Sequence, residues 1–304
     1  MSWLRRPLNL WLRLTERPAL TRATPQTVHR VRRRFERVTR LTLPPPRGLR
    51  YDWHDHMTRP VMEINPGVAG DAPILLYFHG GGYFFGSPRT VRNMVGRIAH
   101  ASSVRALLPV YRLAPEHPFP AAPEDALAAY RDVIAAHPDR PIILGGDSAG
   151  GGLALVLLSQ IVAMDLPKPA LTVAMSPLTD MSTSGASIKG NDATEVVLPA
   201  ERMDDLARYY LDGADPLHPL ASPLFAEFTG ATPVLITASR SEIFLDDARR
   251  MAQVLEDHGV SVDLHEADGL PHVWQMFAGR LPEANHSVRR IAAAIEQALA
   301  DHAV

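Results

Sequence analysis

Leu8, Trp11, Leu12 and Thr15 recur at helical spacing behind Pro7, which predicts a helix over 7–17 with proline at its first position. A second helix is predicted after Thr24 and Pro25, where Val28, Val31, Phe35 and Val38 form one stripe opposite Arg30, Arg33, Arg34 and Arg37. Pro44, Pro45 and Pro46 then mark a stiff boundary. Beyond it the pattern changes to short, uncharged apolar runs alternating with helical segments. Strands are predicted at 74–78, 104–110, 142–144, 171–175, 234–238 and 260–265. Helices are predicted at 91–101, 124–136, 153–164, 202–211, 246–258 and 286–301. Such alternation implies an α/β chain built on a parallel sheet. The stretch 179–230 interrupts it, and its middle reads as an excursion above the sheet.

A length of 304 residues suffices to bury a large core, and 46% hydrophobic with 21% charged residues is the composition of a globular chain despite 27 prolines. The absence of cysteine removes disulfides, thiolate nucleophiles and cysteine-held metals, and leaves the redox compartment open. A net charge of −2 argues against wholesale nucleic-acid binding. That balance hides an asymmetry: residues 1–50 hold 13 arginines against Glu16 and Glu36, so they carry +11 and the remainder −13. The two amphipathic helices suit an arm or lid packed on the protein, with a membrane-surface anchor as the sharper alternative. Asn9 and Arg13 interrupt the first apolar run and no small-residue cleavage site follows Arg5 and Arg6, so no export signal is expected and a cytoplasmic location is. No stretch approaches the ~18 to 20 apolar residues of a membrane span, so integral membrane association is not expected.

Candidate chemistry starts at Gly146-Asp147-Ser148-Ala149-Gly150, a Gly-x-Ser-x-Gly pattern between a predicted strand and a predicted helix. A serine at such a sharp turn presents its hydroxyl at the sheet's edge, and the helix behind it turns free amides and a positive dipole end toward developing negative charge. By itself the pattern suits a phosphate-binding or merely turning helix start better than a nucleophile, and context and partners must decide. His79-Gly80-Gly81-Gly82 follows strand 74–78 as a loop almost without side chains. Amides of Gly81 and Gly82, with that of Ala149, can form an oxyanion hole; the alternative is a flexible turn. The spacing fits a dinucleotide fingerprint poorly, and no His-Glu-x-x-His pattern exists, so neither a nucleotide cofactor nor zinc is expected.

A serine nucleophile needs a base. Of 13 histidines His272, in the loop after the last predicted strand, is best placed. His79 belongs to the glycine loop and is assigned to ordering it, while His54, His56, His100, His117, His137 and His218 carry no motif. The base in turn needs an acid to hold it, and candidates after strand 234–238 are Glu242, Asp246 and Asp247. Asp246 and Asp247 open a helix, where capping and dipole roles explain them, so Glu242 is the preferred acid. The chain order Ser148, Glu242, His272 is the nucleophile, acid, base order of α/β hydrolases.

With these motifs the chain resembles the bacterial branch of the hormone-sensitive lipase family, the family IV esterases, over residues 79–274. Tyr111-Arg112-Leu113-Ala114-Pro115-Glu116-His117-Pro118-Phe119-Pro120 looks like that family's signature run and is read as structural. Many members carry Asp-Pro-Leu-x-Asp at the triad acid. Here Glu242-Ile243-Phe244-Leu245-Asp246 places glutamate first, with Asp246 as the fallback. The resemblance implies a mostly parallel eight-stranded sheet flanked by helices, a helical cap from residues 1–48 and part of 180–220, and a catalytic domain over 49–304. It implies hydrolysis of short-chain acyl esters through an acyl-enzyme, with neither metal nor organic cofactor. Some members act on lactones, acetylated natural products or carbamates, and some form homodimers through the last strand and its neighbouring helix. Two rivals are an inactive ligand-binding relative, which retention of His272 weighs against, and a membrane-associated lipase using the arginine-rich helices.

Overall fold

In the computed structural model, residues 2–55 and 57–302 are described. The strands are β1 (Arg50–His54), β2 (Val61–Asn65), β3 (Ile74–Phe78), β4 (Arg105–Pro109), β5 (Ile142–Asp147), β6 (Leu171–Met175), β7 (Val234–Ser239) and β8 (Val262–Ala267). They form one sheet in the order β1-β2-β4-β3-β5-β6-β7-β8. The pairings of β2 with β1 and β4 are antiparallel and the remainder parallel. The helices are α1 (Arg5–Thr21), α2 (Val28–Thr42), α3 (Pro88–Ala101), α4 (Ala121–Ala136), α5 (Ala149–Ala163), α6 (Ala186–Gly190), α7 (Met203–Leu211), α8 (Leu245–Asp257) and α9 (Pro282–His302).

The uncharged strands form because both faces of the sheet are covered. Along β3, Leu75 and Tyr77 turn to one side and pack with Val95 and Ile98 of α3 and Ile291 of α9. Ile74, Leu76 and Phe78 turn to the other, against Leu153 and Leu157 of α5 and Tyr130 of α4. This is the period-two alternation of a strand with apolar side chains on both faces. Each such side chain contributes about 1.5–3 kcal/mol through burial.

Strand order decides where the loops meet. β3 and β5 are neighbours in register, with Phe78 opposite Gly146. The loop opening at His79 and the turn at Ser148 therefore leave the same sheet end side by side. β6, β7 and β8 follow outward, so the turns after β7 and β8 deliver Glu242 and His272 to that end, the carboxyl side where open α/β sheets hold their ligands.

The first two helices lie over this end and are held by arginine. Arg17 donates to the backbone oxygens of Asp192 (2.8 Å) and Glu195 (2.7 Å) and to the Asp192 carboxylate (2.5 Å). Arg32 donates to Phe84 O (2.7 Å), Ala114 O (2.9 Å) and Glu116 (2.7 Å). Arg34 bridges α2 to Glu16 of α1 at 2.5 Å.

Three features differ from the sequence expectation. β1 and β2 match no predicted strand. The third predicted strand runs on to Asp147, and α5 begins at Ala149 rather than near 153, directly behind the serine. Stretch 179–230 carries, besides the expected helix over 202–211 (α7), a further helix α6 and single 3₁₀ turns at Ala200–Arg202 and Pro223–Phe225.

Candidate active site

Ser148 joins β5 to α5 with φ 54° and ψ −123°, a left-handed backbone that L side chains rarely adopt. Neighbouring contacts hold it there. Its amide donates to Met175 O (2.8 Å), and its carbonyl accepts from Gly152 (3.0 Å) and Leu178 (3.1 Å). The turn closes only around glycine. A Cβ on Gly146 would stand 2.0 Å from Gly150 O, and one on Gly150 would stand 2.1 Å from Phe78 O.

The glycine loop owes its shape to buried polar groups around it. Tyr77 donates its hydroxyl to Asp147 at 2.8 Å, and the Gly80 amide also points at that carboxylate. Burial pushes the Asp147 carboxyl up to about 6, against the pull of these donors. Tyr111 donates to His79 O at 2.6 Å and stacks on the His79 ring with centroids 4.4 Å apart. Burial lowers His79 to about 4, so its imidazole is neutral at pH 7, and Nδ1–H donates to Gly80 O at 2.8 Å. Gly81 and Gly82 take φ 124° and 61°. Among the described residues no carbonyl or side chain accepts from the amides of Gly81, Gly82 or Ala149.

His272 Nδ1 lies 2.5 Å from Glu242 Oε2, and the other carboxylate oxygen accepts from the Ser239 amide at 2.7 Å. The Glu242 carboxylate is thus held at both oxygens, and Asn191 grips its backbone carbonyl at 2.8 Å. His272 is fixed from both sides in sequence. Leu270 O accepts from Ser239 Oγ at 2.6 Å, and the Val273 amide donates to Ser176 Oγ at 3.2 Å. Burial alone would lower the His272 pKa, but the Glu242 carboxylate, aided by Glu195 and Asp147, outweighs it and raises the imidazole above its ordinary value. Nε2 is buried and makes no hydrogen bond among the described residues. His272 and Ser148 line the same cavity. A serine–histidine bond of this type commonly closes only when substrate aligns the groups.

Asp246, the alternative acid, does not face His272. Its carboxylate accepts from the Ser187 amide at 2.8 Å. Asp247 is buried and accepts from the amides of Thr179 (2.8 Å) and Asp180 (3.1 Å), with burial pushing it up to about 7. Both carboxylates tie the start of α8 to the segment after β6. His54 pairs with Glu63 at 2.8 Å, away from this site, and His56 lies outside the described residues.

Sequence reasoning missed Glu195. Its carboxylate is buried, accepts from the amides of Val196 (2.8 Å), Val197 (2.7 Å) and Leu198 (3.3 Å), and reaches the Ile243 amide at 3.2 Å, next to Glu242. Burial raises its pKa, opposed by attraction to His272. No motif marks it, because its partners are backbone amides: those of the three residues that follow it and, brought in by the fold, that of Ile243.

The cavity over Ser148 and His272 measures about 200 Å³. Its floor is Gly81, Gly82 and Phe244, and its roof is apolar: Leu12 and Leu20 of α1, Val31 and Phe35 of α2, Leu206 of α7. Among the described residues no group of three or more His, Asp and Glu side chains is arranged to hold a metal ion.

Residues 75–276 match the alpha/beta hydrolase fold family. An acetyl-hydrolase of Streptomyces hygroscopicus is 39% identical over 219 residues, covering 72% of this chain and 73% of that protein. An ethyl acetate hydrolase of Pseudomonas putida is 31% identical over 244 residues, covering 77% and 76%. The crystal structure of an esterase from the bacterial hormone-sensitive lipase family superposes with a TM-score of 0.90 at 37% identity, covering 98% of each chain. A strand-to-helix serine turn, a glycine loop beside it and a carboxylate-bound histidine thus sit in a chain related along most of its length to carboxylic ester hydrolases: it belongs to the hormone-sensitive lipase family of α/β-hydrolase serine esterases.

Proposed function

We propose that Ser148, His272 and Glu242 act as nucleophile, base and orienting acid in hydrolysing short-chain acyl esters, with the amides of Gly81, Gly82 and Ala149 as the oxyanion hole. One observation carries the reading: His272 is bound at Nδ1 by Glu242 at 2.5 Å, its buried Nε2 has no partner among the described residues, and His272 and Ser148 line the same cavity. In the first half-reaction Nε2 takes the Ser148 proton as Oγ bonds to the ester carbonyl carbon. The carbonyl oxygen becomes an anion that the three free amides receive, aided by the positive end of α5. Collapse breaks the bond to the alcohol oxygen, which leaves with the proton from Nε2. Water then repeats both steps, giving the acid and free Ser148. Glu242 holds the imidazole's tautomer and stabilises the imidazolium throughout.

The test is a fluorophosphonate probe with mass mapping, beside p-nitrophenyl esters from acetate to palmitate. The expected result is one adduct, on Ser148, and turnover that peaks among the short acyl chains. An adduct elsewhere, or a peak at palmitate, overturns the assignment.

Residues 1–48 and part of 180–220 are proposed as the cap over this site, because α1, α2 and α7 all contribute walls to the cavity. Deleting residues 1–45 removes most of the apolar roof. The truncated protein is expected to keep the sheet, with its far-ultraviolet spectrum losing only the contribution of α1 and α2, while its acyl-length profile broadens and its KM rises. Unaltered kinetics with unaltered thermal stability refutes the cap role.

A further inference from the structure

The roof has an outer face that the ester-hydrolase reading does not use. α1 packs Leu12 inward, yet Trp3 just ahead of it and Leu10 and Leu14 on it are 80%, 59% and 67% exposed. Leu10 and Leu14 stand one turn apart on the same side of α1, and with Trp3 in the turn ahead of it they present apolar side chains to solvent. Arg6 is exposed beside them, while Arg13 is held on the backbone oxygens of Ala193 and Glu195. α2 shows a complementary stripe. Val28, Val31, Phe35 and Val38 line the cavity, while Arg30, Arg33, Arg37 and Arg40 are exposed on the far side, with Leu41 68% exposed beside them. Since both helices cover the same cavity with one face, their opposite faces both point away from it.

Ion pairing separates the two sets of arginines. Those that bind the roof down are matched: Arg17 with Asp192, Arg32 with Glu116, Arg34 with Glu16. Among the described residues Arg30, Arg33, Arg37 and Arg40 make no ion pair. Even Glu36, which lies among them, accepts from Ser87 Oγ at 2.8 Å. A solvent-facing run of unneutralised cations beside exposed tryptophan and leucine is the make-up of a helix lying in a membrane interface. No helix among the described residues is long and apolar enough to cross a membrane.

We infer that the outer face of α1 and α2 docks on an anionic lipid surface, with Trp3, Leu10 and Leu14 entering the boundary between headgroups and acyl chains while Arg30, Arg33, Arg37 and Arg40 meet lipid phosphates. Charge complementarity selects this occupant. A nucleic acid would satisfy the arginines and leave the apolar side chains in water. A second copy of the chain meeting this face in a two-fold contact would bring two arginine stripes together without acids to neutralise them. Docked in this way, the cavity lies one helix layer from the phase in which apolar esters dissolve.

The test uses the full-length protein sedimented with vesicles of phosphatidylcholine alone or of equimolar phosphatidylcholine and phosphatidylglycerol. Binding is expected to the anionic vesicles only and to weaken with added salt as the phosphates are screened. L10S/L14S and R33Q/R37Q, all at exposed positions outside the cavity lining, are each expected to lower partitioning about tenfold or more. Hydrolysis of soluble p-nitrophenyl acetate stays unchanged in both, which also shows that they fold. Absence of binding to anionic vesicles, or binding that neither variant weakens, overturns the proposal. So does a wild-type dimer that L10S/L14S dissociates, because it assigns this face to a second copy.

Discussion

Ser148→Ala is expected to lower kcat for p-nitrophenyl butyrate on the order of a million-fold, the scale of removing a nucleophile from a serine hydrolase, and to abolish fluorophosphonate labelling. Folding is expected to survive. No structural hydrogen bond of the Ser148 hydroxyl is lost, because the turn is held by its backbone amide and carbonyl. Alanine meets the same left-handed φ of 54° as serine does, so the backbone strain is unchanged. A melting temperature near wild type beside absent turnover isolates the chemistry from the fold. Retained turnover, or loss of both together, contradicts the nucleophile assignment.

What the sequence disclosed and what it withheld divide along a physical line. β3, β5 and β7 were legible because both faces of each are buried, so the chain there is largely apolar, with Asp147 at the end of β5 the single acid. β1 and β2 were not. β1 is an edge strand whose Arg50, Asp52 and Trp53 are exposed, and it reads as a polar loop. β2 places Glu63 at the centre of a fully buried strand. Its carboxylate is tolerated because Arg105 donates at 2.7 Å and His54 lies 2.8 Å away, partners that are 42 and 9 residues distant in the chain.

The start of α5 was misplaced for a similar reason. Gly150, Gly151 and Gly152 suggest a loop, but they are helical glycines against which other backbone packs. A Cβ on Gly152 would meet Leu178 O at 2.0 Å. Local helix propensity argues against glycine there; close approach of the chain after β6 demands it. The candidate site was legible where a motif marked a residue beside a strand end, as at Ser148, Gly81 and Gly82, and where the place after a predicted strand singled one out, as at Glu242 and His272. The approach of Glu195 to the Ile243 amide and the pairing of Tyr77 with Asp147 are contacts between remote segments and leave no local trace.

The sharpest test of the site compares two carboxylates four residues apart. Glu242→Ala is expected to lower kcat about ten-thousand-fold, the scale of removing or neutralising the orienting acid. His272 would lose its Nδ1 partner, and with it the preference for the tautomer whose Nε2 can accept the Ser148 proton. Asp246→Ala is expected to leave kcat within about threefold of wild type and to cost about 1 kcal/mol of stability, the worth of its hydrogen bond from the Ser187 amide. The pH profile adds a signature that damage to packing does not mimic. Because His272 must be neutral to act as base, and its pKa is raised above the ordinary 6.5, the acid limb of kcat/KM in the wild type lies above pH 6.5. In Glu242→Gln the shape is kept and the negative charge removed. Burial then dominates, the imidazole loses its proton at lower pH, and the limb moves to the acid side while the maximum falls. Equal losses from Glu242→Ala and Asp246→Ala, or an acid limb that stays in place in Glu242→Gln, would take the orienting role away from Glu242.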